Sequence, residues 1–311
     1  GSIATHSDDP ELVASVRWKD RAQIEFAIDD SGAITQRLKS ARFEGAAIAE
    51  QAGNSVGARA IHAELNPELP PASALTQIVL NDGVIASAEK QTLTGKTVTI
   101  DFEPDADPNA SPHPVRVTSI GSSMGRTTDQ MLRADDMHAD LVRDAAGQTR
   151  ISNARAVGSV NYRDSSRTTA RADELEADGI NEIIVLKGDE AQASQAGSTI
   201  TGPHIILRAK RRSIEVVGPG TFDHDIAVNN APDAPKGLNG NVNARWSESM
   251  RFEDTLGTVE CKGDVRVIST PDALTRDTLK ADRVTIKLTP IPTNDRIANS
   301  NPPERELISA R

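Results

Sequence analysis

The chain has 311 residues, with 35 Lys+Arg against 45 Asp+Glu, a formal net charge of −10, and only 3% aromatic residues. That length can bury a core, but one built from Val, Ile, Leu and Ala, and an acidic chain poor in stacking aromatics is excluded as a nucleic-acid binder. No run approaches 18 consecutive apolar residues, so no membrane-spanning helix is predicted, and the lone Cys261 excludes an internal disulfide framework or a thiolate metal cluster.

Residues 1–11 read as a flexible N-terminal segment. Gly1-Ser2-Ile3 has the look of a cloning scar, so the chain reads as a piece of a longer protein with its leader or anchor upstream. From residue 12 a pattern recurs: a small residue, a variable one, then apolar residues separated by single polar ones. It runs Ala58-Arg59-Ala60-Ile61-His62-Ala63-Glu64-Leu65, then Gly95-Lys96-Thr97-Val98-Thr99-Ile100-Asp101-Phe102, then Ala134-Asp135-Asp136-Met137-His138-Ala139-Asp140-Leu141. It returns at Ala172–Ala177 around Leu175, at Gly202–Ala209 with Ile205 and Leu207, and at Ala281–Leu288 with Val284, Ile286 and Leu288. The leading residues are spaced by 37, 39, 38, 30 and 79. A degenerate copy around Val242, Ala244 and Trp246 fills the last, double gap.

A second pattern, a Gly with a short alternating stretch, interleaves with the first: Phe43-Glu44-Gly45, Leu80-Asn81-Asp82-Gly83-Val84, Val157-Gly158, Leu186-Lys187-Gly188 and Cys261-Lys262-Gly263-Asp264-Val265. Strict alternation rich in Val, Ile and Thr predicts strands with one buried face. On a helix the same spacing would wind the apolar residues around the whole cylinder. The turns fall at Glu89-Lys90-Gln91 and Gln195–Ser198, and the glycines mark a bend or bulge within strands. Asn66–Ala74, Glu103–Pro114 and Asn229–Gly240 are too rich in Pro, Asn and Asp to continue a strand. The predicted organisation is therefore repeats over 12–228, a Pro/Asn-rich loop or seam at 229–240, a further repeat completing the stack at 241–289, and a tail at 290–311.

The succession from Ala154 to Phe222 (A-x-A-V-G-S-V, A-R-A-D-E-L, L-K-G-D-E-A, I-T-G-P-H-I-I-L, I-E-V-V-G-P-G-T-F), echoed by Trp246, Met250-Arg251-Phe252, Gly263-Asp264-Val265 and Leu279–Asp282, resembles the OstA/LptA-like domain of lipopolysaccharide transport. The resemblance extends over about residues 38–288 through the repeats. It implies an all-β fold, a V-shaped antiparallel β-jellyroll (β-taco) whose apolar inner faces hold acyl chains. It also implies a non-enzymatic, periplasmic role in an envelope-spanning bridge. The implied partners are lipopolysaccharide or another acyl lipid, and other β-jellyroll components or a second copy through edge strands. No cofactor is expected. The groove candidates are Ile61, Leu65, Val98, Ile100, Phe102, Met137, Leu141, Leu175, Ile205, Leu207, Val284, Ile286 and Leu288. The alternative is a structural β-array in which these residues pack on one another in a dry core and only protein is bound.

Other signals carry less. Gly121-Ser122-Ser123-Met124-Gly125 matches a nucleophile elbow, but the stretch after it alternates like a strand where that chemistry needs a helix. Gly95-Lys96-Thr97 lacks the leading Gly of a phosphate loop. Asp223-His224-Asp225 would turn adjacent side chains to opposite faces in an extended segment, which suits a surface turn better than a metal site. His62, His138 and His204 fall on outward positions. The basic run Arg208, Lys210, Arg211 and Arg212 reads as a solvated hairpin tip, with head-group phosphate contact as the functional reading. The repeated Ala-Asp reads as a device that starts turns.

Overall fold

The computed structural model describes residues 1–4, 14–51, 53–88, 90–107, 110–144, 146–195, 197–225, 241–270 and 275–290, and the backbone of 305–310. The fold is all-β, every pairing described is antiparallel, and the chain forms two compact units, Gly1–Val160 and Asn161–Arg311. The predicted 229–240 loop lies outside the described residues. Within the predicted N-terminal segment, Ser2–Ala4 forms β1, and within the predicted tail, Arg305–Ala310 forms the last strand.

In the first unit, β1 pairs with β2 (Ala14–Arg17), and both β2 and β3 (Arg21–Ile28) pair with β4 (Ile34–Gln51). A meander follows through β5 (Asn54–Leu65), β6 (Leu75–Ala88), β7 (Gln91–Glu103), β8 (His113–Arg126) and β9 (Gln130–Arg143). Strand β10 (Thr149–Asp164) closes the unit, tied to β9 by Ser152 Oγ donating to the Asp140 carbonyl at 3.1 Å.

These strands are long because each passes through a corner. The ladder slips at Glu44/Ala47, Gly57/Ala60, Asn81/Val84, Thr94/Thr97 and Ile120/Ser123, so the bulges line up across neighbours into a crease. A bulge leaves one residue unpaired and bends its strand sharply. Even-numbered strands take the corner with left-handed backbone: Gly45 and Ala46 in β4, Asp82 and Gly83 in β6, Gly121 and Ser122 in β8, and Gly158 and Ser159 in β10. Odd-numbered strands place a small residue there: Ala58, Gly95 and Ala134. The two interleaved sequence patterns are thus the two kinds of strand at one crease. The glycines lie in mid-strand, and the break between β5 and β6 falls at Asn66–Ala74 where the sequence placed it, whereas Glu103, His113 and Pro114, predicted to break a strand, belong to the ends of β7 and β8.

The second unit repeats the scheme. Strands β11 (Thr169–Asp178), β12 (Ile183–Gln195) and β13 (Ser198–Arg208) pair in sequence, with slips at Arg171/Glu174 and Lys187/Ala191. The next two crease-crossing strands break outright. β14 (Ser213–Val217) and β15 (Gly220–Asp225) cover the two halves of β13 and are divided at Gly218-Pro219. β16 (Asn241–Trp246) and β17 (Ser249–Glu253) cover those halves in turn. Both pair with the unbroken β18 (Thr258–Thr270), which pairs with β19 (Asp277–Pro290), and β19 pairs with β20 (Arg305–Ala310). Proline cannot donate to a ladder, so Pro219 fixes one break. At the other, Glu248 N donates to the Lys262 carbonyl at 3.1 Å.

The Ala-Asp pairs do not start turns. All three lie inside strands, and in two of them Asp135 and Asp173 cross the glycine of the next strand at the crease. A Cβ on Gly158 would stand 2.2 Å from Asp135 Oδ2, and one on Gly188 would stand 2.7 Å from Asp173 Oδ2. Asp20 over Gly45, Lys96 over Gly121, Pro203 over Gly218 and Glu248 over Gly263 repeat the contact.

Candidate functional site

Alternation assigns each arm an inner face, and the pairing register stacks those residues into rows that run across the strands. In the first unit the row beside the crease is Phe43, Ile61, Leu80, Val98, Ser119 and Met137. The next row outward is Ala41, Ala63, Ile78, Ile100, Val117 and Ala139. Past the corner, the shorter arm carries Ala47 with Ala58, then Val16, Ala49, Val56, Ala86, Leu93 and Leu132. Phe43, Ile61, Leu80 and Val98 pack with Ala47, Ala58 and Val84 in one buried cluster, so the inner faces of the two arms converge at the crease. Trp18 leans on Phe43 at a ring separation of 5.1 Å.

The second unit has a longer row of the same kind. Leu175, Leu186, Ile205, Val216, Met250, Cys261 and Val284 are aligned by register and all buried. Outside it runs Ala177, Ile184, Leu207, Ile214, Phe252, Val259 and Ile286, of which none is fully buried. Trp246, on the other arm, is buried with Nε1 donating to the Gly218 carbonyl at 3.1 Å.

Both units therefore grade from a sealed crease to half-open aliphatic arms. The sequence-predicted residues divide along that line. Ile61, Val98, Leu175, Ile205 and Val284 are crease residues. Leu65, Ile100, Phe102, Met137, Leu141, Leu207 and Ile286 are half-buried. The side chain of Leu288 lies outside the described residues. Sequence reasoning passed over Leu80, Val84, Leu186, Val216, Met250, Cys261 and Val265, although Leu80, Leu186 and Cys261 stand two or three residues before a corner glycine and carry the same alternation.

The opposite face is polar. Gln77 donates to Asp101 at 2.8 Å, Thr97 to Asn81 at 3.2 Å, Arg116 pairs with Asp140 at 3.1 Å, and Thr118 shares a hydrogen bond with His138 Nδ1 at 3.2 Å. The Arg116 hydrogen bond holds the Asp140 carboxyl below its ordinary pKa. His62 lies on this face, half-buried, 4.0 Å from Glu64, and His204 is half-buried in β13.

The remaining signals resolve locally. Ser123, of the G-x-S-x-G stretch, lies inside β8 at the corner; its Oγ is buried, 2.7 Å from Ser119 Oγ and 3.3 Å from the Asp135 carbonyl. No strand-to-helix elbow exists there. His224 Nδ1 meets Ser198 Oγ at 2.8 Å and Asp223 accepts from Asn243, so Asp223-His224-Asp225 is strand rather than turn. The basic run forms the β13–β14 hairpin tip. Arg208 pairs with Glu215 at 2.9 Å, Lys210 Nζ donates to the Ile180 carbonyl at 2.5 Å, and Arg212 pairs with Asp254. Arg211 is exposed and lines, with Arg251 and Glu253, a concavity of about 450 Å³. The inner face of each unit, from the buried crease row to the less buried row outside it, is called its trough below.

Burial pushes the Cys261 thiol up to about 12. A raised thiol pKa keeps the proton in the folded state while the unfolded chain releases it above its ordinary value, so folding stability falls as pH rises beyond about 8.5. A disulfide exchange reagent at neutral pH is expected to label Cys261 in urea and to leave the native protein unlabelled; rapid native labelling would show an open crease row.

A creased antiparallel sheet with a sealed fold line and half-open aliphatic arms defines a bent β-jellyroll. Residues 72–213 match the family model described as LptA/(LptD N-terminal domain) LPS transport protein. Among solved structures, one similar chain is LptH, the LptA-homologous periplasmic component of the lipopolysaccharide transport device of Pseudomonas aeruginosa. It is 17% identical, with 46% of this chain and 95% of that one covered at a TM-score of 0.31. No curated protein matches the chain in sequence.

Proposed function

We propose that the protein is a non-enzymatic carrier of lipopolysaccharide or a similar acyl glycolipid in the periplasm, where it forms part of an envelope-spanning bridge. The hydrocarbon tails lie along the rows outside the crease, half-buried Ile78, Ile100 and Val117 in the first unit, and exposed Ile184 with half-buried Leu207, Ile214, Phe252 and Ile286 in the second. The observation that supports this is the gradation of burial: the crease is packed by the protein alone, whereas the next row keeps apolar surface that a hydrocarbon chain would cover. Each methylene so covered contributes roughly 0.8 kcal/mol. Acyl chains need no directed hydrogen bonds, and these rows offer none. The family match of residues 72–213 supports the same reading. Other jellyroll components, or a second copy, join through the sheet edges. Strand β3 pairs only with β4 among the described residues, and an unpaired edge is a template for another chain.

Native mass spectrometry of protein purified without detergent from a lipopolysaccharide-producing host tests this. The expected spectrum contains adducts with the mass of an acyl glycolipid, and the same lipid displaces a hydrophobic dye. Bare protein, together with a dye that lipid does not displace, would favour a dry β-array that binds only protein.

A further inference from the structure

One apolar surface is not used by either trough. Strands β3 and β4 form a hairpin that outruns its neighbour: β4 meets β5 only from Ser40 onward, so Ile34–Lys39 have β3 as their sole strand partner among the described residues. The register sets Ile24 opposite Ala41, Phe26 opposite Leu38 and Ile28 opposite Ile34. Ala41 belongs to the inner face, and the slip between Glu25 and Phe26 keeps Leu38 on that side. A single face thus climbs from buried Phe43, past Ala41, to Leu38 at 39% exposure and Ile34 at 76%; on β3 it climbs through Ile24 and Phe26 to Ile28 at 66%. The opposite face is polar: Lys39 and Ser40 both donate to Glu25, at 3.1 and 3.2 Å. Large residues exposed together on one face mark a binding surface more often than chance exposure does.

The geometry points to this overhang as a loading lip, on which a single hydrocarbon chain lies before it slides into the first unit's trough. The inference rests on the carrier reading above. Two observations select the occupant. The apolar face is continuous with the rows of the trough, Ala41 packing on the first unit's cluster and standing opposite Ile24, two residues before Phe26. The hairpin tip carries Asp29 and Asp30, and Asp29 accepts from Ser31 N, Ser31 Oγ and Ala33 N within 2.9 Å. Two carboxylates at the tip oppose plunging into an anionic bilayer, so the lip takes lipid molecules one at a time.

A photocrosslinking residue placed at Phe26 or Leu38 reads this directly, with Ile100 as the trough position and Gln23 as the outward control, using palmitate and lipopolysaccharide as separate probes. The expected result is crosslinks from Phe26, Leu38 and Ile100 and none from Gln23, with palmitate showing that the hydrocarbon alone suffices. Crosslinks with lipopolysaccharide only would also support the lip, with the head group required. Crosslinks from Ile100 alone overturn the lip and leave the carrier reading standing; crosslinks from none of the three overturn both. Equal yield at Gln23 marks adsorption, and a crosslinked dimer from Phe26 marks a subunit interface; either overturns the lip. In a kinetic arm, the double variant Ile28→Ser/Ile34→Ser is expected to load lipid more slowly to the same final occupancy. An unchanged loading rate overturns the proposal.

Discussion

Leu80→Ala is expected to lower the unfolding free energy of the first unit by about 3 kcal/mol, whereas Ile78→Ser/Ile100→Ser costs less and abolishes lipid uptake. Leu80 is fully buried in the crease cluster, between Ile61 and Val98 on the adjoining strands. Truncating such a residue removes its transfer free energy and leaves a cavity that neighbours close only in part, typically 2–5 kcal/mol for Leu→Ala. Ile78 and Ile100 stand one row out and are half-buried, so much of their surface already meets water. Their loss to the protein alone is about 1 kcal/mol each, but the hydroxyls would strip the trough of the surface that hydrocarbon covers. The two tryptophans make the measurement clean. Trp18 touches the first unit's cluster and Trp246 lies in the second unit, so a Trp246→Phe background reports urea unfolding of the first unit alone. Equal stability losses in the two variants would mean that the rows do not differ, and the trough would lose its physical basis.

Much of this architecture was legible because strand alternation is a local property. Ile61, Val98 and Val284 announce an inner face by spacing alone, and the break between β5 and β6 is written as the Pro-rich Asn66–Ala74. What spacing does not reveal is depth. Val98 and Ile100 look alike in sequence, yet one is sealed and the other half-open, because depth is measured from a crease that exists only once bulges on neighbouring strands align. The Gly-containing strands were recognised as repeats, but their crease residues Leu80, Leu186 and Cys261 were not chosen, since the corner lies in mid-strand and divides their alternation in two. The Gly121 corner was hidden in another way: its serines imitate a catalytic motif. Ala-Asp misled for a related reason. Asp is common where turns begin, and the glycine that Asp135 or Asp173 crosses lies on the following strand, more than 14 residues away.

That contact gives the second large effect. Gly158→Ala is expected to destabilise the first unit by about 3 kcal/mol, and Gly83→Ala by about 1 kcal/mol. Both glycines have left-handed backbone, φ +80° and +69°, so both substitutions incur the strain of placing a Cβ there. They differ in what lies above. A Cβ at Gly83 meets nothing within 4 Å, whereas one at Gly158 stands 2.2 Å from Asp135 Oδ2 and 2.8 Å from Asp135 Cβ. The carboxylate could swing aside, but Asp135 Cβ is fixed to the backbone of β9, so strand must move against strand where the crease is tightest. The double variant Gly158→Ala/Asp135→Gly removes the obstruction and should recover stability beyond the sum of the single changes, which a double-mutant cycle on urea midpoints measures. If Gly83→Ala proves as costly as Gly158→Ala, backbone strain alone sets the price at the corners, and the crossing side chains contribute nothing to holding the crease.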